Sequence, residues 1–246
     1  MSRLRPTARR LTACAVLALL LAPGAPAAAF PWSGPSRPKD LPLLELPAKR
    51  GPLLAVILSG DGGWTGIDRK IAGELATAHG IAVVGLNSRR YFHIAPKPER
   101  AARDLERILR YYLPAWHRQR ALLIGYSLGA DALPFLATRL PSDLLDKVAL
   151  IALLSPAKAT RLRVEPVWHP GGPPPPPLYQ LLPEVESLRG RPLLCLYGER
   201  EDDALCPALP SGLAKVVAVP GAHGFKRDFR GVTARILGAV GAGASS

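Results

Sequence analysis

One stretch of the chain reads Ala121-Leu-Leu-Ile-Gly-Tyr-Ser-Leu-Gly-Ala-Asp131. Its first six residues are an apolar run of the length of a buried strand. Two glycines flank Ser127, and the residues after it predict a helix over 128–140. A strand, a tight turn and a helix therefore follow one another with no intervening loop. This order is typical of a sheet built from strand–helix–strand units.

The same alternation continues on both sides of this stretch. The apolar runs have no polar face, as expected for parallel strands covered by helices on both sides. The pattern predicts an α/β chain with a mostly parallel, doubly wound sheet and helices on both faces. The predicted strands are 53–58, 81–86, 121–126, 148–154, 193–197 and 216–219, and the predicted helices are 67–79, 99–112, 128–140 and 225–240.

The N-terminal residues have a different composition. Four arginines among the first ten residues precede an apolar stretch at 11–22 and the small residues 27–29. This order predicts a cleaved secretory signal peptide over residues 1–29 and export from the cytoplasm. The alternative, an uncleaved membrane anchor, is disfavoured because the apolar stretch is short and interrupted by alanine and proline.

The rest of the chain is predicted to form one domain. A Pro-rich arm occupies residues 30–50, and a single α/β domain extends over residues 51–246. Within that domain, 156–191 is a loop-rich excursion that contains the proline run Pro173–Pro177. A proline run forms extended structure. The excursion is either a lid or substrate wall above the sheet, or a surface insertion with no function of its own.

The chain is strongly basic. Its formal net charge is +13, and four of its 32 basic residues and none of its 19 acidic residues lie in the predicted signal peptide. A basic surface favours anionic partners. The basic residues are scattered and no nucleic-acid motif is present, so we expect an anionic phospholipid surface and no nucleic acid, or else no specific partner. No metal-ligand cluster or nucleotide motif occurs, so we expect no cofactor; nothing indicates the oligomeric state.

The G-x-S-x-G sequence at Gly125–Gly129 matches a nucleophile elbow of the α/β-hydrolase fold. Ser127 is then the nucleophile, and the Leu128 N–H group is one donor of the oxyanion hole. A serine nucleophile needs a base. Of the five histidines, only His223 follows the last predicted strand, where this fold places its base.

The orienting acid is expected after the strand 193–197. Four carboxylates follow that strand within a few residues. The position four residues before Pro207 selects Asp203, with Asp202 as second choice and Glu201 as third. The order of nucleophile, acid and base along the chain then agrees with that of the fold.

The loop Ser59-Gly-Asp-Gly-Gly-Trp64 follows the first predicted strand of the domain. It is expected to supply the second oxyanion donor, which we assign to Gly62, because glycine lets the backbone approach closely. Asp61 either caps the next helix or binds a cationic part of the substrate. Trp64 and Asp131 are further candidates for substrate binding.

Two cysteines, Cys195 and Cys206, lie outside the predicted signal peptide. In an oxidising compartment such a pair forms a disulfide or remains as buried thiols.

These motifs together resemble the VirJ/AcvB family of bacterial virulence-associated periplasmic proteins. The resemblance rests on the loop Ser59–Trp64, the segment Gly125–Asp131, the acidic segment between Tyr197 and Pro207, and Gly221-Ala-His-Gly-Phe225. It implies the α/β-hydrolase fold, a periplasmic location and a disulfide between Cys195 and Cys206. AcvB-type members look like hydrolases of lysyl-phosphatidylglycerol, and VirJ-type members have been tied to a type IV secretion system.

The resemblance predicts a periplasmic serine hydrolase that cleaves the aminoacyl ester of an aminoacylated phospholipid. Asp61 or Asp131 would pair with the lysyl ammonium groups. Two alternatives remain, a periplasmic esterase or lipase of broader specificity and an accessory protein of a secretion system that uses the fold as a scaffold.

Overall fold

A seven-stranded sheet organises the chain in the computed structural model, which describes residues 34–49, 51–94, 96–164 and 178–242. The predicted signal peptide and the run Pro173–Pro177 lie outside the described residues. The strand order is β1-β3-β2-β4-β5-β8-β9, with β1 antiparallel and the other neighbours parallel. These strands are β1 Leu43–Leu46, β2 Leu53–Leu58, β3 Ala82–Leu86, β4 Arg120–Tyr126, β5 Val148–Leu154, β8 Leu193–Gly198 and β9 Lys215–Val219.

The strand order reverses between β2 and β4. Strand β3 lies on one side of β2, and β4 with all later strands of the sheet lies on the other. In doubly wound sheets such a reversal opens a crevice at the carboxyl ends of the two strands. The loops after Leu58 and Tyr126 therefore meet at this crevice.

Helices cover both faces of the sheet and bury two apolar clusters. Helices α1 and α7 lie on one face, and α3, α4 and α6 lie on the other. The central strands are apolar on both faces because each face contacts one of these layers. The helices are α1 Gly66–Thr77, α2 Ser88–Tyr91, α3 Pro98–Ala115, α4 Leu128–Ala137, α5 Ser142–Leu145, α6 Leu181–Glu186 and α7 Phe229–Ala242. None of the helices in the described ranges is both long and apolar enough to cross a bilayer.

Three regions differ from the sequence-based prediction. Part of the predicted Pro-rich arm is strand β1, whose Glu45 accepts a hydrogen bond from the Tyr112 hydroxyl on α3. The predicted loop-rich excursion contains helix α6 and a two-stranded ladder of β6 Ala159–Thr160 and β7 Tyr179–Gln180. The last helix begins at Phe229, because Phe225–Arg227 forms a separate 3-10 turn. Short elements of this kind carry too little periodicity to be recognised from sequence.

Trp64 belongs to the core of the sheet rather than to the substrate site predicted for it. Its side chain is 7 % exposed and packs among the residues between the sheet and α1. A Cβ added to Gly85 on β3 would lie 2.3 Å from the Trp64 ring. The indole therefore occupies the space that a side chain at position 85 would need, and Trp64 fixes the end of its loop on the sheet.

We expect Gly85→Ala to lower the free energy of unfolding by about 1–3 kcal/mol, because the new methyl group overpacks the Trp64 site. Thermal unfolding followed by tryptophan fluorescence measures this change. The matched control is Gly73→Ala in α1, where an added Cβ meets nothing within 4 Å. That variant should gain stability, since alanine is the better helix former. Equal stabilities of the two variants would contradict the assigned Trp64–Gly85 contact.

Candidate active site

The turn between β4 and α4 holds Ser127 in a strained conformation. Ser127 has φ 52° and ψ −122°, a region that residues with a side chain seldom adopt. Such strain persists where the surrounding structure enforces it, and it is frequent at functional sites. Its N–H group donates to Leu154 O on β5 at 2.9 Å, and its carbonyl accepts from Asp131 N at 2.9 Å.

The two glycines of the motif are required by contacts between backbones. A Cβ at Gly125 would lie 2.3 Å from Gly129 O, and a Cβ at Gly129 would lie 2.1 Å from Leu58 O. Both distances are far below van der Waals contact. The first turn of α4 can therefore rest against the end of β2 only because both positions lack a side chain.

Ser127 and His223 line the same cavity, which has a volume of about 300 Å³ and lies at the carboxyl ends of β2 and β4. We call it the catalytic cavity. The side chain of His223 is 52 % exposed, and its ring centroid lies 5.3 Å from that of Tyr126. Because the elbow and the histidine loop meet here, the cavity contains both a serine hydroxyl and an imidazole.

The loop after β2 forms one wall of the catalytic cavity. Ser59 is fully buried, and its hydroxyl accepts a hydrogen bond from Ser88 N at 2.9 Å, which ties the loop to the residues after β3. A Cβ added to Gly60 would lie 3.4 Å from Ser127 Cβ, whereas one on Gly62 would approach Thr65. Gly62, the predicted oxyanion donor, lines the cavity, but Gly60 is the glycine in contact with the elbow.

The carboxylate that contacts His223 belongs to Glu201, not to Asp203. Glu201 Oε1 lies 2.8 Å from His223 Nδ1, and Glu201 Oε2 accepts from Gly198 N at 3.1 Å. Asp203 and Asp202 are exposed and line a neighbouring cavity instead. Of the three predicted candidates, the third choice and not the first is therefore the carboxylate in contact with the histidine.

The physical reason is the path of the chain after β8. The strand runs to Gly198, and Glu201 N bonds back to Gly198 O at 2.9 Å in a tight turn. A Cβ at Gly198 would lie 2.5 Å from Ala222 O, so this turn lies directly against the histidine loop. Because the two loops lie so close together, Glu201, which comes before Asp203 and has the longer side chain, faces the His223 ring.

A disulfide joins Cys195 in β8 to Cys206, with the two Cα atoms 5.5 Å apart. The bond closes the segment that contains Glu201, Asp202 and Asp203. A β-bridge between Ala157 and Ala204 holds the same segment against the residues after β5. We call this segment, residues 199–205, the acidic loop; it is attached to the sheet at both ends.

The acidic loop lines a second cavity of about 290 Å³, which shares His223 with the catalytic cavity. We call it the acidic cavity. Three carboxylates line it, and among the described residues that line it there is no lysine or arginine. Ser155 also lines it; this residue is 4 % exposed, and its hydroxyl has no hydrogen-bond partner among the described residues. The carboxylates are those of Glu201, Asp202 and Asp203.

Asp61 and Asp131 differ in their access to these cavities. Asp61 is exposed and lines the catalytic cavity. Asp131 lines neither cavity, and its Oδ1 accepts from Ala157 N at 2.8 Å. Burial raises the pKa of Asp131 to about 7; the Ala157 N–H opposes this shift, and the charges of Asp203 and Asp61 add to it. Asp131 therefore supports the wall of the acidic cavity, whereas Asp61 can meet a ligand.

Asp68 is a residue of the catalytic cavity that sequence analysis missed. It lies in the first turn of α1 and is 3 % exposed, and its Oδ1 has no hydrogen-bond partner among the described residues. Burial raises its pKa to about 7, although nearby N–H groups, including those of Thr65 and Gly60, favour the ionised form. The spacing Thr65-x-x-Asp68 is a capping-box pattern that could have revealed it. No cluster of three or more His, Cys, Asp or Glu in the described ranges could hold a metal ion.

We expect Glu201→Gln to slow labelling of Ser127 by a fluorophosphonate about 100-fold or more, because an amide does not stabilise the protonated imidazole. Mass spectrometry of the labelled peptide gives the rate without any assumption about the substrate. The matched control is Asp203→Asn, which removes one carboxylate from the same loop and should have a much smaller effect. If Asp203→Asn slowed labelling more than Glu201→Gln did, Asp203 and not Glu201 would be the carboxylate that orients His223.

Asp68 also predicts a pH dependence of stability. Its pKa is raised in the folded protein, so between about pH 4 and pH 7 the folded state keeps a proton that the unfolded chain has released. The stabilisation is complete below about pH 4 and is lost as the pH rises through about 7. Asp68→Asn should therefore reduce the loss of thermal stability between about pH 5 and pH 8 by about 1 kcal/mol or more.

Circular dichroism melts at the two pH values measure this difference. Asp202→Asn, which changes an exposed carboxylate that contributes to the raised pKa of neither Asp68 nor Asp131, should keep the wild-type pH dependence. The assignment fails if Asp68→Asn keeps it as well.

Comparison with known proteins supports the fold and assigns the family. The chain is similar to Est1E from Butyrivibrio proteoclasticus, with 14 % identity, coverage of 87 % of this chain and 100 % of the other, and a TM-score of 0.57. It is similar to a predicted CIB-like hydrolase from Thermoplasma acidophilum, with 14 % identity, coverage of 81 % and 91 %, and a TM-score of 0.55.

The esterase domain of a Rhodothermus marinus protein is also similar, with 21 % identity, coverage of 80 % of this chain and 89 % of the other, and a TM-score of 0.53. At these identities the likeness establishes the fold alone. No curated protein matches the chain. Residues 52–243 match the family of the bacterial virulence protein VirJ. The chain has the α/β-hydrolase fold and belongs to the VirJ family of bacterial virulence proteins.

Proposed function

We propose that the protein is a serine hydrolase that cleaves a carboxylic ester with Ser127, His223 and Glu201. The Ser127 hydroxyl attacks the carbonyl carbon while His223 takes its proton through Nε2. Glu201 accepts the Nδ1 proton of His223, which fixes the ring and stabilises its protonated form. The 2.8 Å contact between Glu201 and His223 supports this assignment.

The remaining steps use the same groups. N–H groups of Leu128 and of the loop that begins at Gly60 stabilise the oxyanion of the tetrahedral intermediate. The intermediate expels the alcohol, which takes the proton from His223, and leaves the acyl group on Ser127. Water then attacks the acyl-enzyme with His223 again as base, and this step releases the acid and regenerates Ser127.

The acyl group of the substrate is cationic. The acidic cavity is the observation that carries this proposal, because it places three carboxylates beside His223 in a chain with a net charge of +13. Asp61 adds a carboxylate on the other side of the histidine. A neutral acyl group has no use for this arrangement, and negative charge near a developing oxyanion opposes the reaction. A substrate cation offsets that cost by pairing with the carboxylates.

An aminoacylated phospholipid, lysyl-phosphatidylglycerol, combines these properties. Its ester carbonyl is flanked by two ammonium groups, and its alcohol is an anionic lipid. Membership of the VirJ family agrees with this choice, because the sequence resembles AcvB-type members. The basic surface of the chain would then dock on an anionic bilayer in the periplasm, to which the predicted signal peptide directs it.

The direct test is release of lysine from vesicles that contain lysyl-phosphatidylglycerol, measured by mass spectrometry. We expect release by the chain without residues 1–29 and none by Ser127→Ala. Cleavage of simple esters without release of lysine would indicate an esterase of another specificity. No cleavage of either substrate, with full biological activity of Ser127→Ala in cells, would indicate an accessory protein of a secretion system.

A second test addresses the charge of the acyl group. We expect the double variant Asp202→Asn/Asp203→Asn to lower the preference for a lysine ester over the ester of acetyl-norleucine about tenfold, measured as the ratio of the two kcat/KM values. Asp143→Asn is the matched control, because Asp143 is exposed and pairs with Arg110 outside both cavities. An unchanged preference in the double variant would exclude the acidic cavity as the cation site.

A further inference from the structure

A third cavity, of about 470 Å³, adjoins the catalytic cavity on the side away from the acidic one. Arg227 and Phe229 line both this cavity and the catalytic cavity. We call it the basic cavity, because Lys70, Arg227 and Arg230 are among the described residues that line it. The three cavities therefore follow one another in the order acidic, catalytic, basic, with His223 and Arg227 at the two boundaries.

The positive charge of the basic cavity is not neutralised by its own carboxylates. Glu74 lies 3.8 Å from Arg230, and Asp228 lies 3.8 Å from Arg235. Asp228 is further occupied at the start of α7, where its Oδ1 accepts from Gly231 N at 2.9 Å. Within the described part of the chain, neither Lys70 nor Arg227 forms an ion pair. Two cations are thus available to an anion in this cavity.

Arg227 is held at its boundary position by a strained turn. Phe225, Lys226 and Arg227 have φ values of 51°, 48° and 61°, so three successive residues with side chains occupy the left-handed region. Each residue with a side chain in this region costs about 1–3 kcal/mol of backbone strain. The conformation persists only where contacts with the surrounding structure enforce it. The fully buried ring of Phe225 anchors the turn in the core. The turn immediately follows His223-Gly224, so it fixes Arg227 relative to the base.

We propose that Arg227, together with Lys70, forms a phosphate subsite that binds the alcohol side of the substrate. Guanidinium groups bind phosphate oxygens in a bidentate manner, and an ammonium group adds a second point charge. The inference rests on the proposed function for the origin of the phosphate, which in lysyl-phosphatidylglycerol lies one glycerol unit from the ester. The charge order of the cavities then sets the direction in which the ester binds, with the cationic acyl group toward Asp203 and the phosphate toward Arg227.

The binding test does not depend on hydrolysis. Isothermal titration of the Ser127→Ala chain with glycerol phosphate, and separately with inorganic phosphate, measures the subsite directly at low salt. We expect Arg227→Gln to raise the Kd for glycerol phosphate about tenfold or more. The matched control is Arg103→Gln, which removes the same charge from an exposed position of α3, on the other face of the sheet.

The kinetic test connects the subsite with the reaction. We expect Arg227→Gln to lower the ratio of kcat/KM for lysyl-phosphatidylglycerol to that for lysine methyl ester, which has no phosphate, by about tenfold or more, whereas Arg103→Gln leaves the ratio as in the wild type. An equal fall for both esters would indicate a structural role for Arg227 and overturn the proposal.

Two further outcomes separate the sources of phosphate and the two proposals. Binding to anionic vesicles without binding of glycerol phosphate would identify a contact with the bilayer surface and overturn the subsite. The wild type could instead bind glycerol phosphate, lose this binding in Arg227→Gln, and yet not cleave lysyl-phosphatidylglycerol. That combination would support the subsite and reject the proposed substrate.

Discussion

The contact between the backbones of α4 and β2 is the constraint on which the rest of the site depends. A side chain at Gly129 would lie 2.1 Å from Leu58 O, so only glycine lets the helix start beside the strand. The turn that leads from β4 into this helix has the strained conformation of Ser127, with φ 52° and ψ −122°. The close approach of the helix also brings the loop after β2 next to the serine, since the strand order reverses between β2 and β4. The positions of Ser127 and of the loop that faces it thus depend on one packing contact.

The other half of the site comes from β8 and from the loop after the edge strand β9. Strand β8 and the histidine loop meet at Gly198 and Ala222, again through a glycine that leaves no room for a side chain. The disulfide from Cys195 to Cys206 ties the far end of the acidic loop back to β8. Glu201 is therefore presented to His223 by a segment with both ends attached, which limits the freedom of its carboxylate. Preorganisation of this kind is what the proposed acid–base chemistry requires.

The distribution of charge around the site is uneven in a way that the total charge conceals. A chain with a net charge of +13 has a cavity beside His223 whose described lining contains three carboxylates and neither lysine nor arginine. On the opposite side, Lys70 and Arg227 remain without ion-pair partners among the described residues. The proposed substrate, with a cation on its acyl side and an anion on its alcohol side, follows this order of charge. The proposed cationic acyl group and the proposed phosphate subsite are both argued from this change of charge across the three cavities.

Much of the fold could be predicted because its signals are local. The limits of β2 and β5 agree with the predicted runs, and those of the other predicted strands differ by one residue, since continuous apolar runs end at glycine or polar residues. Strand β1 escaped prediction because its residues are only half-buried and its edge position depends on pairing with distant β3. From sequence, Trp64 is expected in the substrate site, because nothing in the neighbouring sequence indicates that it packs on Gly85.

By itself, the sequence determined the strand–turn–helix around Ser127, the position of His223 after the last strand, and the loop that contains Glu201. These follow from glycine spacing and the order of elements, which are properties of the chain alone. Only the tertiary structure decided that Glu201 rather than Asp203 contacts the histidine, and that Asp68 and Arg227 line the same cavity as the serine. The physical reason is reach: which side chain spans a gap of a few ångströms depends on how closely two distant loops approach each other.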